Sequence, residues 1–188
     1  MNVFVLCTGR SGSVTFIKAC AGMENFSAAH ESRAHAVGGR RLAYPPDHIE
    51  ADNRLSWMLG RLDEAYGDRA CYVHLHRDLL ETARSFQARY DRGIIQAYRN
   101  QIVMGGEGLN PGVDSIDFCI DYCQTVDANI RAFLKDKTQK MDFSLERAKA
   151  DFARFWEWIG ATGDFEAAMS AWDVRHNATT DARKLAPA

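Results

Sequence analysis

The chain alternates short apolar runs with longer segments whose apolar residues recur every three or four positions. Asn2-Val3-Phe4-Val5-Leu6-Cys7 is apolar and rich in β-branched residues, the composition of a strand buried on both faces. Similar runs predict strands at 26–30, ending at Glu31, at 48–51, at 70–75 and at 140–145. Between them the 3.6-residue period predicts helices. The first covers 14–22. The second is capped by Asp52 or Asn53 and runs to Tyr66, with Leu55, Met58, Leu59 and Leu62 on one face. A third opens at Arg77-Asp78, with Leu79, Leu80, Ala83, Phe86 and Tyr90 as its stripe. A long one covers 115–134 through Phe118, Tyr122, Val126, Ile130 and Phe133. Two more cover 146–160, with Phe152, Phe155, Trp156 and Ile159 inward, and 165–172. Residues 33–44 are basic, lack a period and end at Pro45-Pro46, a breaker. The glycine-rich stretch 104–114 predicts a mobile loop, and 173–188 a loosely structured end.

Strands alternating with helices predict an α/β fold of three layers, α/β/α, around a mostly parallel sheet of four to five strands. Ligands in such folds sit at the carboxyl ends of the strands, so residues 8–15, Glu31 and Arg77 are expected on one rim. At 188 residues and 46% hydrophobic the chain is expected to form one domain, residues 1–188. A net charge of −2 argues against nucleic acid or an anionic membrane as the main partner. The five cysteines are odd in number and lack CxxC spacing, which predicts reduced core thiols and a cytoplasmic protein rather than disulfides or a metal site. The N-terminal apolar run is too short for a signal h-region, and no stretch approaches the ~20 apolar residues of a membrane span.

The stretch that carries chemistry is Thr8-Gly9-Arg10-Ser11-Gly12-Ser13-Val14-Thr15, between the first strand and first helix. Successive N–H groups in such a turn, ending on a helix N-terminus, make a concavity of donors for a phosphate or sulfate. Gly9 and Gly12 suit it because a Cβ would block the turn and the approach of the anion. The loop lacks GxxxxGK[ST] and its lysine, and GxGxxG is absent too. No strand ends on a lone carboxylate placed for Mg²⁺; the fourth ends in His76-Arg77-Asp78 instead. Arg77 at a strand end and Ser85 two helical turns later can converge on one anion. His74 and His76 fall on one face of their strand, as packing or hydrogen-bonded histidines.

With both features in order, the chain resembles the sulfotransferases that use 3′-phosphoadenylyl sulfate (PAPS). In that family a loop of the form "PRSGTT" or "GRSGS" holds the 5′-phosphosulfate, and a later "hvRdp…S" holds the 3′-phosphate. The matching positions here are Gly9, Arg10, Ser11, Gly12, Ser13, Val14 and Thr15, then Arg77 and Ser85. Asn129-Ile130, Phe143-Ser144-Leu145-Glu146 and Phe155-Trp156-Glu157-Trp158-Ile159-Gly160 extend the resemblance over most of the chain. Leu79 stands where the family has proline, the chain is short for the family, and Arg183-Lys184 is at most a remnant of the C-terminal clamp of its cytosolic members.

The resemblance implies a P-loop-NTPase-like fold, PAPS as donor, adenosine 3′,5′-bisphosphate as product, no metal, and a small-molecule or carbohydrate acceptor presenting a hydroxyl or amine. It implies that Arg10 neutralises charge on the bridging oxygen and that Glu31 is the base, facing Arg10 from a strand beside the first. His30 and His35 are the rivals for that role. Arg40-Arg41 and the 105–112 loop are candidates to grip an anionic acceptor or close as a lid, or are simply solvated. Two other readings stay open: a small phosphotransferase of the nucleotide-kinase type, and a non-catalytic nucleotide-binding protein.

Overall fold

A computed structural model describes residues 1–105 and 111–174. Its centre is a five-stranded sheet in the order β2-β3-β1-β4-β5, built from β1 (Val3–Leu6), β2 (Ser27–His30), β3 (His48–Ala51), β4 (Cys71–His76) and β5 (Lys140–Ser144). All four pairings are parallel, with Val3 beside Ile49 and Cys71 on its two sides. The chain leaves β1, passes over one place to β2, returns to insert β3 between them, then crosses to β4 on the far side of β1. The end of β1 therefore lies where connections diverge to the two sides, the place where open α/β sheets hold ligands.

The two-residue alternation sorts the strands between two cores. Val3, Val5, Cys7, Ile49, Ala51, Val73, Leu75, Met141 and Phe143 pack under α1 (Ser13–Cys20), α6 (Ala148–Trp158) and α7 (Phe165–Ser170). Phe4, Leu6 and Tyr72 pack on the other face under α2 (Leu59–Tyr66), α3 (Leu79–Gln87), α4 (Gly93–Ala97) and α5 (Ser115–Leu134). This is the three-layer α/β/α arrangement expected from the alternation of strands and helices.

Several expected helices are refined. The segment 52–66 is divided: a 3₁₀ turn, Asn53–Trp57, is followed by a break at Met58 (φ −128°) before α2 begins. The turn is fastened to the end of β1, where Ser56 Oγ donates to the Cys7 carbonyl at 3.2 Å, so it does not run on as α-helix. Asp78 caps α3 by accepting from the Glu81 N–H at 2.9 Å. That start turns Leu79 and Leu80 outward and buries Thr82, Ala83 and Phe86 instead. Helix α4 and the π-helical turn Tyr98–Ile102 carry no amphipathic signal strong enough to predict. All five cysteines are free and buried, and burial pushes the Cys7 thiol up to about 11. No helix among the described residues is long and apolar enough to cross a membrane. The expected loop at 105–112 falls largely, and Arg183-Lys184 wholly, outside the described residues.

Candidate anion-binding site

The loop after β1 is held from both sides before it turns. The Thr8 carbonyl accepts from Tyr122 Oη of α5 at 2.7 Å and from Asn53 Nδ2 at 3.4 Å. Gly9 (φ 83°), Arg10 (φ 59°) and Gly12 (φ 94°) then occupy left-handed backbone conformations, and only Arg10 meets a steric penalty there. A Cβ at Gly9 would lie 2.8 Å from Asn53 Nδ2, and one at Gly12 would lie 2.6 Å from Leu145 Cδ1. The space those glycines leave is thus filled by neighbouring side chains, so packing requires glycine there in addition to the turn. Gly12 opens α1 with no side-chain cap and no acidic residue in the first turn. The first N–H groups of a helix have no acceptor within the helix, and its N-terminus carries partial positive charge. An anion is the natural occupant.

Around the loop the expected side chains divide by role. Ser11 is fully buried, with its hydroxyl beside the Cys7 thiol. Val14 offers its N–H alone. Ser13 and Thr15 are buried, and Ser13 Oγ lies 3.0 Å from His30 Nε2, which fixes the first residue of α1 against the end of β2.

Arg10 and Ser85, 75 residues apart, meet directly: Arg10 Nε donates to Ser85 Oγ at 3.0 Å. Arg77, at the end of β4, donates to Glu81 at 3.2 Å. Burial first, then the charges of Arg89, Arg77 and Arg92, hold the Arg10 guanidinium below the ordinary arginine range. Four arginines and the N-terminus of α1 therefore concentrate positive charge in a chain of net charge −2. Arg89 and Arg92 were not among the expected site residues. Arg89 had a signal, since it follows Ser85 by four positions, at the end of the segment whose period predicts a helix.

Glu31 stands elsewhere than expected. Because β3 separates β1 from β2, Glu31 ends a strand about 10 Å from β1 rather than one beside it. Its carboxylate meets Arg54 Nη1 at 2.6 Å. Glu31 also adopts φ 51°, and with Arg10 it is one of four non-glycine residues at positive φ among the described residues. Its neighbours hold it there. The Glu31 N–H donates to the Ala51 carbonyl at 3.0 Å, and Ser32 donates through N and Oγ to the buried Glu50 carboxylate at 2.7 and 2.6 Å. The turn after β3 thus serves both halves of the rim, Asn53 on the loop and Arg54 on Glu31.

Other expectations are settled more simply. Arg41 is buried against Asp52 at 2.5 Å and Tyr44 Oη at 2.9 Å, so it braces the turn Gly38–Leu42 and is not open to an acceptor; Arg40 is exposed. His35 is exposed on the segment after β2. His74 meets Asp127 at 2.7 Å and His76 meets Asp142 at 2.9 Å, the hydrogen-bonded histidines anticipated from their spacing. Among the described residues no three His, Cys, Asp or Glu side chains form a set able to hold a metal ion.

No protein-family model matches the chain, and no curated protein matches it in sequence. Among solved structures, the chain is similar to a sulfotransferase domain from the curacin biosynthetic pathway, with a TM-score of 0.61 and 13% identity over 88% of this chain and 75% of that one. A likeness at that identity speaks for the fold. The three-layer sheet, with the Arg10 loop at the end of its central strand, is a sulfotransferase-like fold.

Proposed function

We propose that the protein transfers a sulfuryl group from 3′-phosphoadenylyl sulfate to a hydroxyl or amine of an acceptor. The observation that carries this reading is the contact of Arg10 with Ser85, which joins the loop after β1 to the helix after β4. Two anion-binding elements, far apart in the chain, become one wall. A donor with phosphate at both ends of a ribose fits such a wall, and the donor set is of the right kind: guanidinium groups, a hydroxyl and unpaired helix N–H groups.

In this reading Gly9 to Thr15 hold the 5′-phosphosulfate through backbone N–H groups, with the Ser13 and Thr15 hydroxyls beside them. Arg77 and Ser85 hold the 3′-phosphate. PAPS supplies an activated sulfuryl group whose leaving bisphosphate gains negative charge as the bond breaks. Arg10 stabilises that charge, and its reduced hydration strengthens the interaction. Glu31 accepts the acceptor's proton, with Arg54 aiming its carboxylate. His30 positions Ser13. Sulfuryl transfer of this kind depends on placement and charge stabilisation.

Thermal shift tests the reading directly. Adenosine 3′,5′-bisphosphate should raise the melting temperature, and Arg77→Ala should remove most of the rise. A preference for ATP with Mg²⁺ would point to a nucleotide kinase instead. For the base, Glu31→Gln should lower turnover about 10²- to 10⁴-fold while leaving bisphosphate affinity nearly intact. Unchanged turnover in Glu31→Gln, with the bisphosphate still bound, removes Glu31 from the mechanism.

A further inference from the structure

We propose that Arg89 is a third ligand, with Arg77 and Ser85, for the phosphate at the ribose 3′ position of the donor. The inference rests on the sulfuryl-donor reading and adds a residue to it. Ser85 lies on α3, and Arg89 sits four positions on, in the turn just past that helix's end, its N–H bonded to the Phe86 carbonyl at 2.8 Å. That places Arg89 a single turn of chain beyond the Ser85 that Arg10 contacts.

The surroundings of Arg89 differ from those of Arg77, Arg84 and Arg99. Arg77 and Arg84 meet Glu81, and Arg99 meets Asp91. Arg89 has no carboxylate within ion-pair distance among the described residues, and its Nε is buried without an acceptor. A guanidinium edge withdrawn from water and left without an acceptor costs free energy that a bound anion recovers. It also stands close enough to Arg10 to be the largest charge acting on it. Like charges brought this near to one another are offset by a dianion, and phosphate matches the guanidinium fork with two oxygens at once.

Calorimetric titration of the full chain with adenosine 3′,5′-bisphosphate and with adenosine 5′-phosphate separates the outcomes. The wild type is expected to favour the bisphosphate. Arg89→Gln, which keeps the buried stem, should weaken the bisphosphate about 10- to 100-fold and the 5′-phosphate by less than about 2-fold. Arg89→Lys should recover part of the loss, because it restores charge without the fork. The unliganded melting temperature of each variant verifies folding. Equal weakening of both nucleotides, or of neither, overturns the assignment. If Arg77→Ala loses the preference for the bisphosphate and Arg89→Gln keeps it, Arg89 falls and the donor reading stands. If the wild type binds no bisphosphate, both fall together.

Discussion

Arg10 and Glu31 carry backbone strain at the two places where the proposed chemistry needs a side chain. Each sits at positive φ, a conformation costing roughly 1–2 kcal/mol for a residue with a Cβ. Such outliers persist where neighbours over-determine them, and they gather at working sites. At Arg10 the flanking glycines make the turn, and the bond to Ser85 fixes where the side chain goes. At Glu31 the Ser32–Glu50 bonds and the Arg54 ion pair do the same. Gly12 is the complementary case, where the absence of a side chain keeps that position unstrained. Gly12→Ala would force a methyl group into φ 94° and to within 2.6 Å of Leu145 Cδ1. Leu145 can swing aside, so the backbone term remains. We expect a stability loss of about 1–2 kcal/mol in urea denaturation, with weaker bisphosphate binding. An unchanged midpoint would mean that the loop has another conformation open to it.

The elements divide into those readable from local pattern and those set by distant contacts. The strands at 2–7 and 70–75 announced themselves by their apolar runs, and the 115–134 helix by its period, because both signals come from burial; β2, whose residues are exposed or half-buried, and β3, with its His48 and Glu50, gave weaker ones. The order of strands has no such signature. Nothing local to residues 48–51 says that β3 inserts between β1 and β2 and moves Glu31 one strand further from Arg10. For the same reason Asn53 and Arg54 were invisible as site residues, since their partners Thr8 and Glu31 lie 45 and 23 positions away. Arg41 shows the converse error. It read as a solvated cation and is only 1% exposed, paired with a fully buried Asp52.

That pair makes a pH-dependent prediction for the element it braces. Burial, partly offset by the Arg54 N–H and by Arg41, raises the Asp52 carboxyl above the usual range. A raised carboxyl in the folded state contributes stability below its unfolded pKa and loses it as pH rises through the folded value. Arg41→Met removes an opposing charge and strengthens that dependence. At neutral pH it should cost about 3–5 kcal/mol. The loss relative to wild type should shrink as pH falls, because protonation of Asp52 removes the buried charge. Arg41→Met with Asp52→Asn should regain most of the loss at neutral pH. Denaturant midpoints at neutral and acidic pH decide it; a loss independent of pH would assign the cost to packing alone.

At the scale of the molecule, the anion loop is clamped by layers on opposite faces of the sheet. The loop leads into α1 on one face of the sheet, and Tyr122 reaches it from α5 on the opposite face, across 114 positions of sequence. Asn53 approaches the same Thr8 carbonyl from the turn after β3. A carbonyl held by two donors fixes the peptide that precedes Gly9, and with it the direction from which the cradle's N–H groups start. Tyr122→Phe removes one donor while keeping the ring, which packs edge-on to Phe86 and Tyr98 with centroids 4.9 and 5.3 Å away. Asn53→Ala removes the other. Either change alone leaves one donor in place and should cost about 0.5–1.5 kcal/mol of stability. Together they should cost more than the sum, with a coupling of about 0.5 kcal/mol or more, because the last bond on a buried carbonyl is worth more than the first. Bisphosphate affinity should follow the same pattern, falling steeply only in the double variant, as the loop loses its preorganised form. If the two changes are additive in both stability and affinity, the clamp is only a pair of independent bonds. In that case the cradle's shape comes from its glycines and from Arg10 on Ser85, not from the layers that enclose it.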